Sequence, residues 1–466
     1  MLKLYSTLNK RIEEFKSVKK NEVGLYTCGP TVYGFAHIGN LRTYIFEDIL
    51  HRILEYNGYK VDHAMNITDV GHLVGDGDEG EDKLEVGAKR EGKSPLEIAK
   101  VYADKFFSDL DGLNIIRPNK ILSATQSIPE QIEIIKILEE KGFAYKGEQA
   151  VYFDTSKFHD YGNLSGQRLS EKKTGAREEV VIDKDKKHPA DFALWFFLTG
   201  RYKNHVLHWP SPWGEGFPGW HIECSAISRK LLGQPFDIHS GGVDHIGTHH
   251  TNEIAQSEAA FGLPLCNYWL HGEFLLIDSG RMGKSEGNLL TLDALKEKGF
   301  SPLDYRYMCL QAHYRTQLNF TWEGLLAAHN AFERLAIFAA LEKPGQVGCA
   351  EYEQKFKDAI NDDLNLPKAL GIVWELVSDD TMPAGARINS LLNFDEVFGL
   401  KLSQQPLSIR IETLPALVAD LLGQRAMARS SMDYQKSDEL RKQIEGLGYE
   451  IEDTPNGHKV KRKPQI

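Results

Sequence analysis

The run from Leu25 to Thr43 restricts the possible folds most. Val23 to Thr27 is a short β-prone segment, Gly29-Pro30 breaks it, and Leu41, Ile45, Ile49 and Ile53 then recur every four positions on one helical face. Asn57-Gly58 is a helix stop, and Tyr59 to Asp69 reads as a second strand ending in Asn66, Thr68 and Asp69. Strand, helix and strand in that order predict a parallel β-α-β unit with its ligands beyond the strand ends. The helix start aims backbone N–H groups and the positive end of the helix dipole at one point, where a phosphate can sit. His37 and Asn40 would add side-chain donors there. The same residues also fit an ordinary strand-loop-helix connection.

At 466 residues the length suggests about three domains. With 41% hydrophobic and 26% charged residues the composition is that of a globular chain. No run approaches the roughly 18 apolar residues of a membrane span, so no membrane partner is expected. Met1-Leu-Lys-Leu-Tyr-Ser-Thr has no signal-peptide core, which makes the cytoplasm the expected compartment. A net charge of −11 excludes a generic sticky nucleic-acid binder but not a partner read through local basic surfaces. Five scattered cysteines argue against a disulfide framework and for reduced thiols or metal ligands.

Along the chain, Gly75 to Asp82 is glycine-rich and acidic and reads as a solvated loop or a lid. Amphipathic helical patterns run from Pro95 to Leu113 and from Ser127 to Lys141, while Ala150 to Asp154 and Glu178 to Asp183 are strand-like. These suggest an insertion between two halves of a nucleotide-binding sheet. A Pro/Gly/Trp loop, Trp209 to Trp220, leads into a helix carrying Cys224. Phe236 to Asp244 reads as a strand whose exit holds Gly241 and Gly242, suited to close backbone approach, and Asp244, suited to a ribose hydroxyl. A helix capped by Thr248 and stopped by Gly262 puts His249 and Glu253 on one face. Cys28 and Cys224 with His249 and Glu253 make a set suited to tetrahedral zinc. Without a compact Cys-x-x-Cys knuckle, spacing alone does not beat the reading of two small buried thiols and an i,i+4 surface pair. Cys266, Cys309 and Cys349 lie in apolar or helical contexts and read as packing residues. A glycine-rich loop, Ile277 to Asn288, holds Arg281 and Lys284. Residues 321–395 are mainly helical, and the tail holds two helices and a hairpin. The first, opened by Thr413 and Pro415, has Leu414, Leu417/Val418 and Leu421/Leu422 as its apolar face, and the second has Leu440, Ile444 and Leu447, behind a cap at Asp433.

His37-Ile-Gly39-Asn40 early, Pro218-Gly-Trp220-His-Ile-Glu-Cys224-Ser in the middle and Arg281-Met282-Gly-Lys284-Ser285 late resemble, in order and spacing, the class I aminoacyl-tRNA synthetases. The Pro-Gly-Trp-His-Ile-Glu-Cys-Ser string, with Thr27-Cys28-Gly29-Pro, His239-Ser-Gly-Gly-Val-Asp244 and His249-His-Thr-Asn-Glu253, narrows the resemblance to the cysteinyl-tRNA synthetase family, and it runs nearly end to end. It implies an α/β fold: a Rossmann-type parallel-sheet catalytic domain with an insertion, then a helical bundle and a small C-terminal α+β domain. The expected divisions are 1–125 and 206–265 for the catalytic halves, 126–205 for the connective insertion and 266–322 for a stem-contact module with the signature loop. The bundle is expected at 323–405 and the anticodon-binding domain at 406–466. The activity implied is ATP-dependent ligation of L-cysteine to cysteine tRNA through an adenylate, by a monomer using one Zn2+ per chain and Mg2+ with ATP.

By the same resemblance, Cys28, Cys224, His249 and Glu253 are the metal ligands, and Cys28, Gly29, Thr68 and Trp220 line the amino-acid pocket. His37, Asn40 and Lys284 are catalytic. ATP is held by His37, Gly39, Asn40, Gly241, Gly242, Asp244, Arg281, Met282, Lys284 and Ser285. Arg429, Asp438, Arg441 and Asp453 match positions that meet the anticodon loop, with an aromatic at Tyr434. Three departures stand out: Asn40 where the family has a second histidine, Arg281 and Gly283 in the second signature, and Thr251 for a glutamate beside the ligands. An ATP-dependent cysteine:amine ligase of thiol biosynthesis shares the catalytic core; such relatives lack the tail found here.

Overall fold

The computed structural model describes residues 1–71, 73, 82–166, 185–277, 280–281, 289–405, 416–430, 433–454 and 457–462. Met282, Gly283, Lys284 and Ser285 lie outside the described residues, as do the helix opening expected at Thr413, Leu414 and Pro415, the strand expected over 178–183 and nearly all of the acidic run from 75 on. Its last residue, Asp82, is buried rather than solvated: it caps the helix Lys83–Glu91 by accepting from the N–H groups of Leu84 and Glu85.

Five strands form the expected parallel sheet, side by side in the order Cys266–Gly272, Phe236–Gly242, Glu22–Thr27, Lys60–Ile67 and Lys120–Ser123. The chain enters at Glu22–Thr27 and steps outward twice, then returns beside its starting point at Phe236–Gly242 and steps the other way. That reversal makes a topological switch point beyond Thr27 and Gly242, the position where open parallel sheets form their ligand crevice. Strand Cys266–Gly272 extends this sheet past the boundary expected at 265.

Helix Ile38–Tyr56 follows the first strand. Leu41, Ile45, Ile49 and Ile53 are buried as their spacing predicts, and so are Ile38, Leu50 and Leu54, so the helix is enclosed on several sides rather than along one stripe. Each such apolar side chain contributes about 1.5–3 kcal/mol on full burial. One continuous core runs from the N-terminal strand through this helix into the helices Trp322–Ala339, Ala350–Ile360, Leu366–Ser378 and Ala384–Phe398. The helices expected from Pro95 and Ser127 run Pro95–Gly112 and Ile128–Glu140.

The insertion is a separate antiparallel sheet of Ala144–Lys146, Ala150–Phe153, Phe192–Phe197 and Gly216–Pro218. Its last strand lies within the segment expected to be loop. Phe217 stacks on Phe196 there, so aromatic burial overrides the breaker residues around it.

The tail has a core of its own, in which helices Ala416–Ser430 and Tyr434–Gly446 pack Val418, Leu421, Leu422, Leu440 and Ile444 against Tyr449 and Ile451. Leu417 and Leu447, expected on the apolar faces, are exposed instead. The hairpin pairs Tyr449–Thr454 with Gly457–Arg462.

Candidate active site and metal centre

Gly29 begins the loop after the first strand, and its backbone passes so close to the neighbouring strand end that an added Cβ would lie 1.7 Å from the carbonyl oxygen of Asn66. No side chain fits there, so the close approach requires glycine. This turn delivers Cys28 to the crevice. Helix Trp220–Leu232 brings Cys224 from the far side, and helix His249–Phe261 brings His249 and Glu253. Thr248 occupies the N-cap position without a side-chain capping bond, while its carbonyl accepts from Asn252 N–H; Gly262 ends the helix in the left-handed conformation.

One donor atom from each of Cys28, Cys224, His249 and Glu253 lies within 4.8 Å of the others, and all four residues are buried. His249 Nε2 is 3.4 Å from Cys224 Sγ and 3.1 Å from Glu253 Oε1. The pair is therefore no surface contact, and this set could hold a metal ion. Burial, reinforced by Cys224 and Glu253, pushes the Cys28 thiol well above its usual range, and burial with Glu253 pushes Cys224 up to about 12. Two thiols and a carboxylate gathered out of water fit a soft cation that stabilises their charged forms.

A second group, Cys28, His239, His250 and Glu253, shares two members with the first. Its histidines lie behind those shared donors. His239 Nε2 is 3.0 Å from Glu253 Oε2, the oxygen facing away from His249, and His250 Nε2 is 3.3 Å from Cys28 Sγ. His250 Nδ1 is in turn 2.8 Å from His271 Nε2, and His271 Nδ1 is 2.8 Å from Thr7 Oγ1. His221 Nδ1 meets His249 Nδ1 at 3.0 Å. Such outer partners fix ring orientation and ligand basicity. None of these histidines emerged as outer partners from the sequence, because they come from separate elements and share no spacing.

Of the residues expected to line an amino-acid pocket, Trp220 has its ring 4.3 Å from that of His249, and Thr68 is buried. Thr68 donates to Glu223, a buried carboxylate that sequence reasoning missed although it stands next to Cys224. Burial pushes Glu223 well above the usual carboxylate range, against the opposing bond from Thr68.

Among the residues expected at the nucleotide, His37 caps helix Ile38–Tyr56. Its Nδ1 accepts from Asn40 N–H at 3.2 Å, and Asn40 Oδ1 accepts from His37 N–H at 3.3 Å. The asparagine thus closes a capping box with the histidine, a local role additional to the donor role expected. At Gly39 a Cβ would lie 3.0 Å from the His37 ring, so the turn is tight here as well. Ile38 N–H donates to Leu290 O at 2.8 Å, and Gly280–Arg281 pairs with Leu275–Ile277. Both flanks of the second signature are therefore fixed near the helix start. Gly241 and Gly242 end their strand where a Cβ would meet His250 at 2.8 Å and Asp244 Oδ1 at 2.2 Å respectively. Asp244 itself is exposed at the crevice.

The tRNA synthetases class I (C) catalytic domain family matches residues 14–330. Cysteine-tRNA ligase 1 of Burkholderia lata is 46% identical over 98% of this chain and 96% of its own length. The cysteine-tRNA ligase of Treponema denticola is 44% identical over 97% of this chain and 98% of its own. The chain belongs to the cysteine-tRNA ligase family. Its fold is also that of the methionyl-tRNA synthetase of Mycobacterium tuberculosis, solved with methionyl-adenylate, at a TM-score of 0.54 and 15% identity over 81% of this chain and 90% of that one. In this cysteine-tRNA ligase fold the tail residues stand apart from the crevice in sequence and in core. Arg429 and Asp438 are exposed, as is Tyr434. Arg441 donates to Ile451 O at 2.7 Å and pairs with Glu445, so its guanidinium ties the last helix to the hairpin. Asp453 lies in the hairpin strand Tyr449–Thr454. Among the described residues no helix is long and apolar enough to cross a membrane.

Proposed function

We propose that the chain activates L-cysteine with ATP and transfers it through cysteinyl-adenylate to the 3′ end of cysteine tRNA. The observation that carries this reading is the buried Cys28-Cys224-His249-Glu253 set, gathered next to the switch-point strand Glu22–Thr27 of a chain in the cysteine-tRNA ligase family. Held by those four residues, zinc would supply a soft Lewis-acidic centre that takes a thiolate far better than a hydroxyl and so separates cysteine from serine. A hydrophobic pocket alone discriminates by only ~10–200-fold per group.

Each of the chain's own groups then has one task. Thr68 and Trp220 hold the amino acid, with the Cys28-Gly29 turn closing over it. Its carboxylate oxygen attacks the α-phosphorus, the bond to the β-phosphate breaks, and pyrophosphate leaves. Gly39 and the helix start of His37 and Asn40 face the triphosphate, and Arg281, Met282, Lys284 and Ser285 are assigned to it as well. Magnesium accompanies the nucleotide, as it does for bound triphosphates generally. Phosphoryl transfer depends mainly on such positioning and charge stabilisation. Gly241, Gly242 and Asp244 receive the adenosine.

We assign Arg429, Asp438, Arg441 and Asp453 to the anticodon contact, on a tail whose separate core supports a division near 406. The other divisions follow the sheets, with Gly216–Pro218 joined to the insertion and Cys266–Gly272 to the catalytic sheet. The working form is a monomer in the cytoplasm. A cysteine:amine ligase is the weaker reading, because the cysteine-tRNA ligases match through the tail as well.

Purified protein should show cysteine-dependent ATP-pyrophosphate exchange, charge a tRNA bearing the cysteine anticodon, and contain one zinc per chain by elemental analysis. Activation of serine as good as that of cysteine, or an active protein free of zinc, contradicts the reading.

A further inference from the structure

A backbone group sets the polarity of the amino-acid pocket. The N–H of Gly29 donates to Asn66 Oδ1 at 2.7 Å, and only an oxygen can accept there. The amide is thereby oriented, and its Nδ2 donates to Glu223 Oε1 at 3.3 Å and to Thr68 Oγ1 at 3.1 Å. A hydroxyl has one hydrogen and two lone pairs. With one lone pair of Thr68 taken by Asn66, its hydrogen goes to Glu223 Oε1, the nearest acceptor. One lone pair remains. The backbone of Thr68 is held as well, its N–H donating to Pro30 O at 3.1 Å and its carbonyl accepting from Val32 N–H at 3.2 Å.

We infer that Glu223 is a positioning residue that fixes Thr68 as a hydrogen-bond acceptor for the α-ammonium of the substrate. The inference rests on the proposed activation of cysteine. With the thiol at the donor set and the carboxylate directed at the α-phosphorus, the ammonium is the substrate group left over, and it is a donor. An acceptor at Thr68 fits it, whereas a donor there would favour a reversed amino acid. Helix Trp220–Leu232 would then serve both ends of the substrate, Cys224 at the thiol and Glu223 through Thr68 at the amine.

The test compares the KM for cysteine in pyrophosphate exchange with the inhibition constant of mercaptopropionate, which is cysteine without its amine. Metal content is measured alongside. Glu223→Met, which fills the space but offers no carboxylate, should reduce the preference for cysteine by roughly 10- to 100-fold, the worth of a hydrogen bond to a charged group. Mercaptopropionate binding and zinc content should hold. Glu223→Gln, which keeps an acceptor oxygen, and Thr68→Ser, which keeps the hydroxyl, should retain the preference, while Thr68→Val should lose it. Thr68→Val, which removes the acceptor itself, tests the inference independently should Glu223→Met not fold. An unchanged preference in Glu223→Met or Thr68→Val overturns the inference, as does equal loss in Glu223→Gln and Glu223→Met. A wild-type protein without cysteine-dependent exchange overturns the proposed function and this inference with it; normal exchange with an unmoved preference overturns the inference alone.

Discussion

Lys284 stands beside the leaving pyrophosphate in the proposed reaction, and its neighbour Gly283 replaces the serine that the family carries. Losing one preorganised electrostatic contact to a transition state costs about 2.7–4 kcal/mol, so Lys284→Ala should lower the exchange rate by roughly 10²–10³-fold. Zinc content should not change, since no metal-set residue lies in this loop. Near-normal exchange in that variant would move the charge to Arg281. A second residue-scale expectation concerns His63, buried on strand Lys60–Ile67 with Nε2 2.9 Å from Thr27 Oγ1 and Nδ1 3.2 Å from His51 Nδ1. Burial, with His51 adding to it, lowers its pKa from 6.5 to about 3. The unfolded chain therefore takes up a proton below pH 6.5 that the folded chain refuses until about pH 3. Stability from this group is complete above pH 6.5 and falls by ~1.4 kcal/mol per pH unit beneath it. Urea midpoints between pH 7.5 and 5 should show a shallower pH slope in His63→Gln than in wild type, and equal slopes would refute the assignment.

Helix Ile38–Tyr56 begins at the His37 cap and runs through the main core, so the elements around it are bound to one another through its polar side chains. Arg42 donates to the carbonyls of Glu273, Phe274 and Thr316. Asp48 accepts from Arg306, Arg52 and Ile116 N–H, and Arg306 also donates to Phe398 O and Leu113 O. Both Asp48 and Arg306 side chains are wholly buried. Removing one partner of such a pair strands a charge out of water, so Asp48→Ala should destabilise the protein by about 3–5 kcal/mol in urea unfolding. Glu13→Ala should cost under about 1 kcal/mol, because its Arg11 partner is largely exposed. A small effect at Asp48 would mean that the helix and its neighbours relax independently.

Over the whole molecule, the residues of the crevice all precede 290 and the tail folds around its own core. Deletion from about residue 406 should therefore leave cysteine activation and zinc content near wild type while tRNA charging falls steeply. Equal loss of both activities in a truncated chain with an unchanged melting temperature would make the tail a support of the catalytic fold. The net charge of −11 adds a condition: tRNA binding must depend on local contacts, and charging should weaken as salt rises while pyrophosphate exchange changes little.

The β-α-β start was legible because apolar periodicity and breaker residues act locally: Val23 to Thr27, Leu41 to Ile53 and the Asn57-Gly58 stop are each decided by near neighbours. Cys28, Cys224, His249 and Glu253 were legible as residue types, and His249 with Glu253 as a shared helix face. That these donors converge within 4.8 Å was decided only by the order of the five parallel strands, which brings the first and fourth strands of the sheet together. The same holds for Glu223 under Thr68, for the histidines behind the donors and for the burial of Asp48 with Arg306. Leu417 and Leu447 show the converse, since their helical spacing promised burial but among the described residues no facing element covers them. Periodicity reports which face of an element is apolar; what lies against that face depends on contacts between residues far apart in the chain, and those exist only once the sheet has closed.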